Sequence, residues 1–304
     1  LLNAAYNIRR RYHGNRIRIH ILQNAKSGAC PEDCSFCSQS ARFQTGVKRY
    51  KTQSVEELVA GAHKAWNSGA RTYCMVTATR GPRKRELDIL SKAVRRIKSE
   101  LPLTICTSLG LLDLSAATSL KAAGVDRYNH NLETSERFFP KLCSTHTWED
   151  RHDTLRLAKA VGMQACAGGI IGMGETPEDR VHLALSLRNL GVESVPVNLL
   201  NPRPGTPFSH LSSLSPQEAL KALCMFRFVH PDKDVRIAGG REVVLGAMQP
   251  LALYPANSLF SNGYLTTDGQ GENQDIVMMK QAGFTPEIVG LHPQENTDDY
   301  GSYV

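Results

Sequence analysis

Cys30, Cys34 and Cys37 stand in the run Cys30-Pro31-Glu32-Asp33-Cys34-Ser35-Phe36-Cys37, a Cys-x3-Cys-x2-Cys spacing. Three thiolates on one short loop can converge on a cubane iron–sulfur cluster and leave its fourth iron without a protein ligand. Phe36, next to the third cysteine, is placed to shield such a cluster. The alternative is a structural zinc site, which takes four ligands, commonly two of them from a second paired motif. No His-x3–5-His or second Cys-x2-Cys lies nearby in the sequence. The spacing favours a 4Fe–4S cluster with one open iron.

An open iron suits a ligand that chelates through an amine and a carboxylate, as S-adenosylmethionine (SAM) does. One electron from the cluster would cleave its sulfonium to methionine and a 5′-deoxyadenosyl radical. That chemistry belongs to the cofactor, and the protein supplies position.

Cys74, Cys106 and Cys166 lie far apart, yet each falls within a segment that reads as a strand. Inward side chains of a parallel barrel share one interior, so these thiols can meet there. The competing reading is plain packing, because free cysteine is a common buried residue. Arg236, between Val235 and Ile237, joins them as an inward guanidinium that needs a partner. Thiolates or sulfides would serve; for a buried arginine taken alone, a carboxylate is the commoner partner. Cys143 and Cys224 read as packing residues.

Polar residues gather where strands should end, in Tyr128-Asn129-His130-Asn131-Leu132-Glu133-Thr134 and at Asn198. Barrel active sites form at those C-terminal ends. An Asn amide offers both donor and acceptor and fits a urea-like group, although an Asn there also serves as a turn or cap. Glu133 suits a ribose hydroxyl or an ammonium. Gly168-Gly169, opening a run to Gly174, would let backbone approach a ligand closely. No Lys-Ser/Thr follows, so this is not a phosphate-binding P-loop.

The elements that must position these groups alternate. Strands are expected at 17–23, 72–78, 103–107, 125–131, 164–171, 194–198, 234–237 and 258–260. Helices are expected at 55–67, 86–99, 115–123, 148–161, 177–190, 216–230, 242–248 and 274–282. Gly69, Gly124, Gly162 and Gly191 follow helices as C-terminal caps should. Ser54, Ser115 and Thr176 stand at N-cap positions, with Glu57 completing a capping box. About eight βα units predict an α/β fold, a (β/α)8 TIM-type barrel; the alternative is a doubly wound open sheet. The 304 residues read as one barrel domain, with 1–16 a helical extension and 285–304 a loose tail.

Composition limits the remaining classes. Apolar residues at 41% and charged residues at 21% describe a globular chain. No apolar run approaches the roughly 20 residues of a membrane-spanning helix. The net charge of +7 is spread along helical stretches such as 83–98, with no aromatic-interleaved patch, which argues against nucleic acid. Oxygen-sensitive metal thiolates imply a reducing interior. The expected compartment is cytoplasmic, or an organellar matrix if a targeting segment has been trimmed.

With these residues assembled, the chain resembles the biotin synthase family over nearly its whole length. The resemblance rests on Gly28-Ala29-Cys30-Pro31-Glu32-Asp33-Cys34 through Cys37-Ser38-Gln39-Ser40, on Tyr128 through Ser135, and on Glu193-Ser194-Val195-Pro196-Val197-Asn198. It implies a sulfurtransferase in which Cys30, Cys34 and Cys37 hold the 4Fe–4S cluster. Cys74, Cys106, Cys166 and Arg236 would hold a sacrificial 2Fe–2S cluster. Asn131, Glu133, Arg151, Gly168 and Gly169 would hold SAM, and Asn131 and Asn198 would contact dethiobiotin. The implied reaction inserts sulfur between C6 and C9 of dethiobiotin, beginning with hydrogen abstraction from C9. A flavodoxin-like external electron donor and a homodimer are implied too. Glu133 stands where the family often has Asp, and Ala238 where it often has Ser; neither change removes a cluster ligand. The other enzymatic reading is a similar radical SAM barrel, such as a hydrogenase-cofactor maturase, acting on a different substrate.

Overall fold

The computed structural model describes residues 1–266 and 269–287. Its strands are β1 (Arg16–Lys26), β2 (Thr72–Thr77), β3 (Thr104–Ser108), β4 (Arg127–Asn129), β5 (Gln164–Cys166), β6 (Gly169–Ile171), β7 (Ser194–Leu199), β8 (Asp234–Ile237), β9 (Ser258–Phe260) and β10 (Thr285–Glu287). The longer helices are α1 (Leu2–His13), α2 (Val55–Asn67), α3 (Lys84–Glu100), α4 (Leu114–Ala123), α5 (Trp148–Ala160), α6 (Pro177–Asn189) and α7 (Pro216–Val229). Two short helices, α8 (Arg241–Leu245) and α9 (Gln249–Ala252), and then α10 (Glu272–Gln281) complete the set.

Every strand pairing is parallel, and β9 returns to β1 through Arg18↔Ser258, Ile19↔Leu259 and His20↔Phe260. That pairing closes the sheet into a (β/α)8 barrel and rules out the open doubly wound alternative. Eight positions ring the axis, because β5 and β6 share one of them by both pairing with β7.

Strand periodicity sorts the side chains. Ile17, Ile19, Tyr73, Met75, Ile105, Val195, Val197, Val235 and Ile237 belong to the main hydrophobic core. Alternate residues, including Cys74, Cys106 and Cys166, form a separate cluster. Ala62, Ala65, Ala93, Ala117, Ala158 and Ala184 give the helices thin inner faces in the same core.

Local chemistry sets the helix ends. Ser54 with Glu57, Thr147 with Asp150 and Thr176 with Asp179 form capping boxes. Asp113, not Ser115, caps α4, its side chain accepting from Ala116 N at 2.7 Å. The expected strand 164–171 is broken into β5 and β6 at Ala167 and Gly168, where the backbone passes so close to Pro196 that a Cβ on Gly168 would lie 1.7 Å from its carbonyl oxygen. Thr285–Glu287 is not loose tail: it adds β10 alongside Arg16–Arg18 of β1. Residues 288–304 of the expected tail lie outside the described residues.

The extension at 1–16 forms α1, which packs on α7. Buried Arg9 ties it down, donating to the Ala256 carbonyl at 3.2 Å and the Arg16 carbonyl at 2.8 Å. No described helix is long and apolar enough to cross a membrane.

Candidate active site

A cavity of about 290 Å³ is lined by Cys30, Cys34, Cys37, Asn131, Glu133, Arg151 and Asn198, together with Cys74. The cluster loop leaves β1 through Gly28 and Ala29, both in left-handed backbone, with φ of 67° and 56°. It folds back on itself: Cys30 N donates to Gln39 O at 3.1 Å, and Cys37 N to Cys34 O at 2.9 Å. Gln39 Oε1 accepts from Gly28 N at 3.2 Å and pins the entry.

Burial pushes the Cys30 thiol up and the Cys37 thiol to about 11. A hydrogen bond with Cys143, followed by burial, holds Cys34 well above the usual thiol range. Sulfurs buried in this way ionise only with a cation to compensate them, which is what iron provides. The donor set therefore fits a cluster.

The two acids inside the motif have structural work. Asp33 accepts from Ser144 N at 2.9 Å and Thr145 N at 3.2 Å. Glu32 accepts from His146 Nδ1 and from Arg80 Nη1, the latter at 3.1 Å. Together they clamp the 143–146 turn against the cysteine loop.

That turn holds residues the sequence reading missed. Cys143, expected only to pack, lies with its Sγ 3.8 Å from Cys34 Sγ and 3.3 Å from His146 Nδ1. Cys34, Cys143 and His146 therefore group as possible metal donors, and Cys143-x2-His146 is a pair of a kind other than His-x3–5-His or Cys-x2-Cys. However, Arg151 donates from Nε to His146 Nε2 at 2.8 Å, and its Nη2 is 3.8 Å from Cys34 Sγ. A guanidinium already brings the positive charge to that spot, which speaks against zinc there.

At the end of β4, Asn131 Oδ1 accepts from Gly168 N at 3.1 Å, and the Asn131 carbonyl accepts from Arg151 Nη1 at 2.8 Å. Glu133 sits in left-handed backbone with φ of 69°. Its Oε1 is 3.5 Å from Arg151 Nη1, while its buried Oε2 has no partner among the described residues. An orphaned carboxylate oxygen in strained backbone on a cavity wall leaves an acceptor that a bound ligand could use. Gly168 and Gly169 are packed to exclusion, since a Cβ on Gly169 would meet the Glu133 carbonyl oxygen at 2.3 Å. Asn198 is already held by backbone, donating to Gly169 O at 3.2 Å and accepting from Gly239 N at 2.9 Å. One proton and one lone pair of its amide remain for a ligand.

Beyond these groups lie the other three thiols. Register places Cys74 opposite Cys106, and Asn129 opposite Cys166, on neighbouring strands. Asn129 Nδ2 is 3.3 Å and Arg236 Nη1 is 3.8 Å from Cys166 Sγ. Shared hydrogen bonding with Cys106, then burial, keeps the Cys166 thiol well above its usual range. Arg236 Nε is buried without a partner among the described residues. Three buried thiols and a spare guanidinium donor fit a second, smaller cluster. Cys224 is buried on α7, in keeping with packing. Tyr264, Leu265 and Thr266, from the segment after β9, close the cavity and carried no signal in the sequence.

Comparison with known proteins adds an independent line. Residues 25–187 match the model of the Radical SAM superfamily, and residues 196–285 match that of the Biotin and Thiamin Synthesis associated domain. The chain is 59% identical to the biotin synthase of Salinibacter ruber over 297 residues, covering 98% of this chain and 83% of that one. It is 50% identical to the biotin synthase of Rhodopirellula baltica over 284 residues, covering 93% and 79%. In fold it is similar to methylornithine synthase, with a TM-score of 0.82, 20% identity and coverage of 94% and 88%. It is also similar to the FeFe-hydrogenase maturase HydG from Carboxydothermus hydrogenoformans, at 0.80 and 18%, covering 94% and 71%.

Proposed function

This chain belongs to the biotin synthase family of radical SAM enzymes, and we propose how its residues share out that family's sulfur insertion into dethiobiotin. The bound groups, SAM on a 4Fe–4S cluster and a sacrificial 2Fe–2S cluster, supply the 5′-deoxyadenosyl radical and the sulfur. Everything else falls to the protein.

Cys30, Cys34 and Cys37 hold the 4Fe–4S cluster. Asn131, Glu133, Arg151 and the Gly168-Gly169 turn hold SAM, with the spare Glu133 oxygen as acceptor and the bare glycine backbone as a close-fitting wall. Cys74, Cys106, Cys166 and Arg236 hold the 2Fe–2S cluster as the sulfur source. Asn131 and Asn198 bind the ureido group of dethiobiotin and orient its methyl carbon. Leu22, Phe36, Ile170, Leu199 and Phe260 line the same cavity and keep water from a reactive radical. An external flavodoxin-like donor, a homodimer and a reducing cytoplasm or organellar matrix complete the proposal.

The observation that carries the reading is convergence. One cavity is lined by Cys30, Cys34 and Cys37 and also by Cys74 from the second set, together with Asn131 and Asn198. A SAM-cleaving barrel with another substrate, such as a hydrogenase maturase, gives the second set of thiols and its arginine no role.

The test is anaerobic. Iron- and sulfide-reconstituted protein is incubated with SAM, reductant and dethiobiotin, and products are read by mass spectrometry. Biotin together with 5′-deoxyadenosine is the expected result. Deoxyadenosine alone would overturn the substrate assignment, and neither product from fully loaded protein would overturn the whole reading.

A further inference from the structure

Arg236 differs from Arg9 and Arg227, two of the other deeply buried arginines. Arg9 and Arg227 are satisfied mainly by backbone carbonyls: Arg227 donates to those of Pro255, His230, Pro231 and Lys233. Arg236 has no backbone acceptor within hydrogen-bond distance among the described residues. Its Nη2 donates to Asp234 Oδ2 at 2.8 Å and to Ser194 Oγ at 2.7 Å. That leaves Nη1 toward Cys166 and Nε without a partner. The guanidinium is therefore gripped on one nitrogen only, and its other donors are directed elsewhere.

Asp234 is built for this. It stands two residues before Arg236, on the same face of β8. Ser258 Oγ and Asn257 Nδ2 donate to its Oδ1, and Ser194 Oγ donates to its Oδ2 at 3.0 Å. Arg127 Nη1 and His20 Nε2 each approach Oδ2 to 3.6 Å. Burial, followed by the Arg236 charge, keeps His20 neutral. The inner pocket thus carries two guanidinium charges and a single carboxylate. In a dry interior such a carboxylate governs both the orientation of its partner and the local potential.

We infer that Asp234, seconded by Ser194, is the positioning residue for Arg236 at the second cluster: it occupies Nη2, turns Nη1 to the metal, and supplies the negative charge that sets the cluster's reduction potential. The inference rests on the proposal that Cys74, Cys106, Cys166 and Arg236 hold a 2Fe–2S cluster.

The experiment uses the full chain, reconstituted anaerobically with both clusters. Iron and sulfide content, visible absorption and a spectroelectrochemical titration are measured for wild type, Asp234→Asn, Asp234→Glu and Ser194→Ala. Asp234→Asn should retain the 2Fe–2S cluster about tenfold less well, the usual cost of losing an outer-shell partner. The cluster that remains should titrate at a more positive potential, because a nearby negative charge no longer opposes reduction. Asp234→Glu should restore the wild-type potential with partial occupancy, separating charge from position. Ser194→Ala should lower occupancy and leave the potential unmoved. Wild-type occupancy and potential in Asp234→Asn would overturn the inference, as would a potential in Asp234→Glu equal to that of Asp234→Asn. Should Asp234→Asn lose the 4Fe–4S cluster and its helical dichroism as well, Ser194→Ala decides, and wild-type occupancy there overturns the inference. A wild-type chain that binds no second cluster would instead overturn the underlying reading, a result distinct from all of these.

Discussion

Arg151 donates from Nε to His146 Nε2 at 2.8 Å, so His146 must carry its proton on Nδ1, where Glu32 accepts it. The same guanidinium reaches the Asn131 carbonyl from Nη1 and lies near Cys34 and Glu133. A chain of contacts thus runs from the acid beside the first cysteine to the proposed SAM-binding groups. His146 touches neither cofactor in this scheme; it fixes the direction of Arg151. His146→Leu should weaken SAM binding about tenfold while both clusters remain, with the KM for dethiobiotin unchanged. Equilibrium SAM binding to the cluster-loaded variant checks this, and wild-type affinity would remove His146 from the scheme.

The two thiol sets should separate by mutation. Cys106→Ala removes a proposed ligand of the second cluster and leaves the first loop untouched. The expected phenotype is SAM cleavage to 5′-deoxyadenosine with no biotin, and an iron count lowered by the second cluster alone. Cys34→Ala should abolish both products. Product analysis beside iron and sulfide determination gives the answer, and biotin formed by Cys106→Ala would refute the assignment.

Gly168 admits no side chain. A Cβ there would sit 1.7 Å from a backbone oxygen of β7, which cannot move without disturbing the register at Pro196 and Val197. Gly168→Ala should cost about 3 kcal/mol or more in stability, as strain and overpacking at fixed backbone do. It should also displace the amide that Asn131 accepts from. Denaturant unfolding and SAM affinity measure the two effects; a stable variant with normal SAM binding would show that the backbone yields there.

Acid should weaken the fold well above the carboxylate range. Burial, assisted by the Arg227 charge, lowers the His230 pKa to about 4, and its Nε2 has no partner among the described residues. The unfolded chain, with a His pKa near ~6.5, binds a proton in the window where the native chain does not. Stability is therefore complete above about pH 6.5 and falls as pH drops toward about 4, by on the order of 3 kcal/mol for this group across the window. His230→Phe, which keeps an aromatic ring against Phe226, should flatten the dependence of unfolding free energy on pH. An identical slope in the variant would exclude His230 as the source.

The candidate cluster loop was legible in the sequence because some chemistry is local. Three thiols within one loop can only serve one centre, and the spacing of Cys30, Cys34 and Cys37 says so without a fold. Strand alternation went further: a period of two puts Cys74, Cys106, Cys166 and Arg236 on the inner face once the strands are recognised, and the barrel places them there. The same period held a signal that went unread, since Asp234, two residues before Arg236, shares its face and proves to be its carboxylate partner.

Only the tertiary structure decided the rest. Closure of β9 on β1 joins segments more than two hundred residues apart. The break after Cys166 falls where Gly168 passes against a carbonyl of another strand, and β10 forms by pairing with β1. Cys143 and His146 meet Cys34 across a gap of more than a hundred residues, so their partnership leaves no periodic trace along the chain. Periodicity and cap chemistry act over a few residues and are written in sequence. Contacts between distant segments depend on how whole elements pack, and only the folded chain determines which of them form.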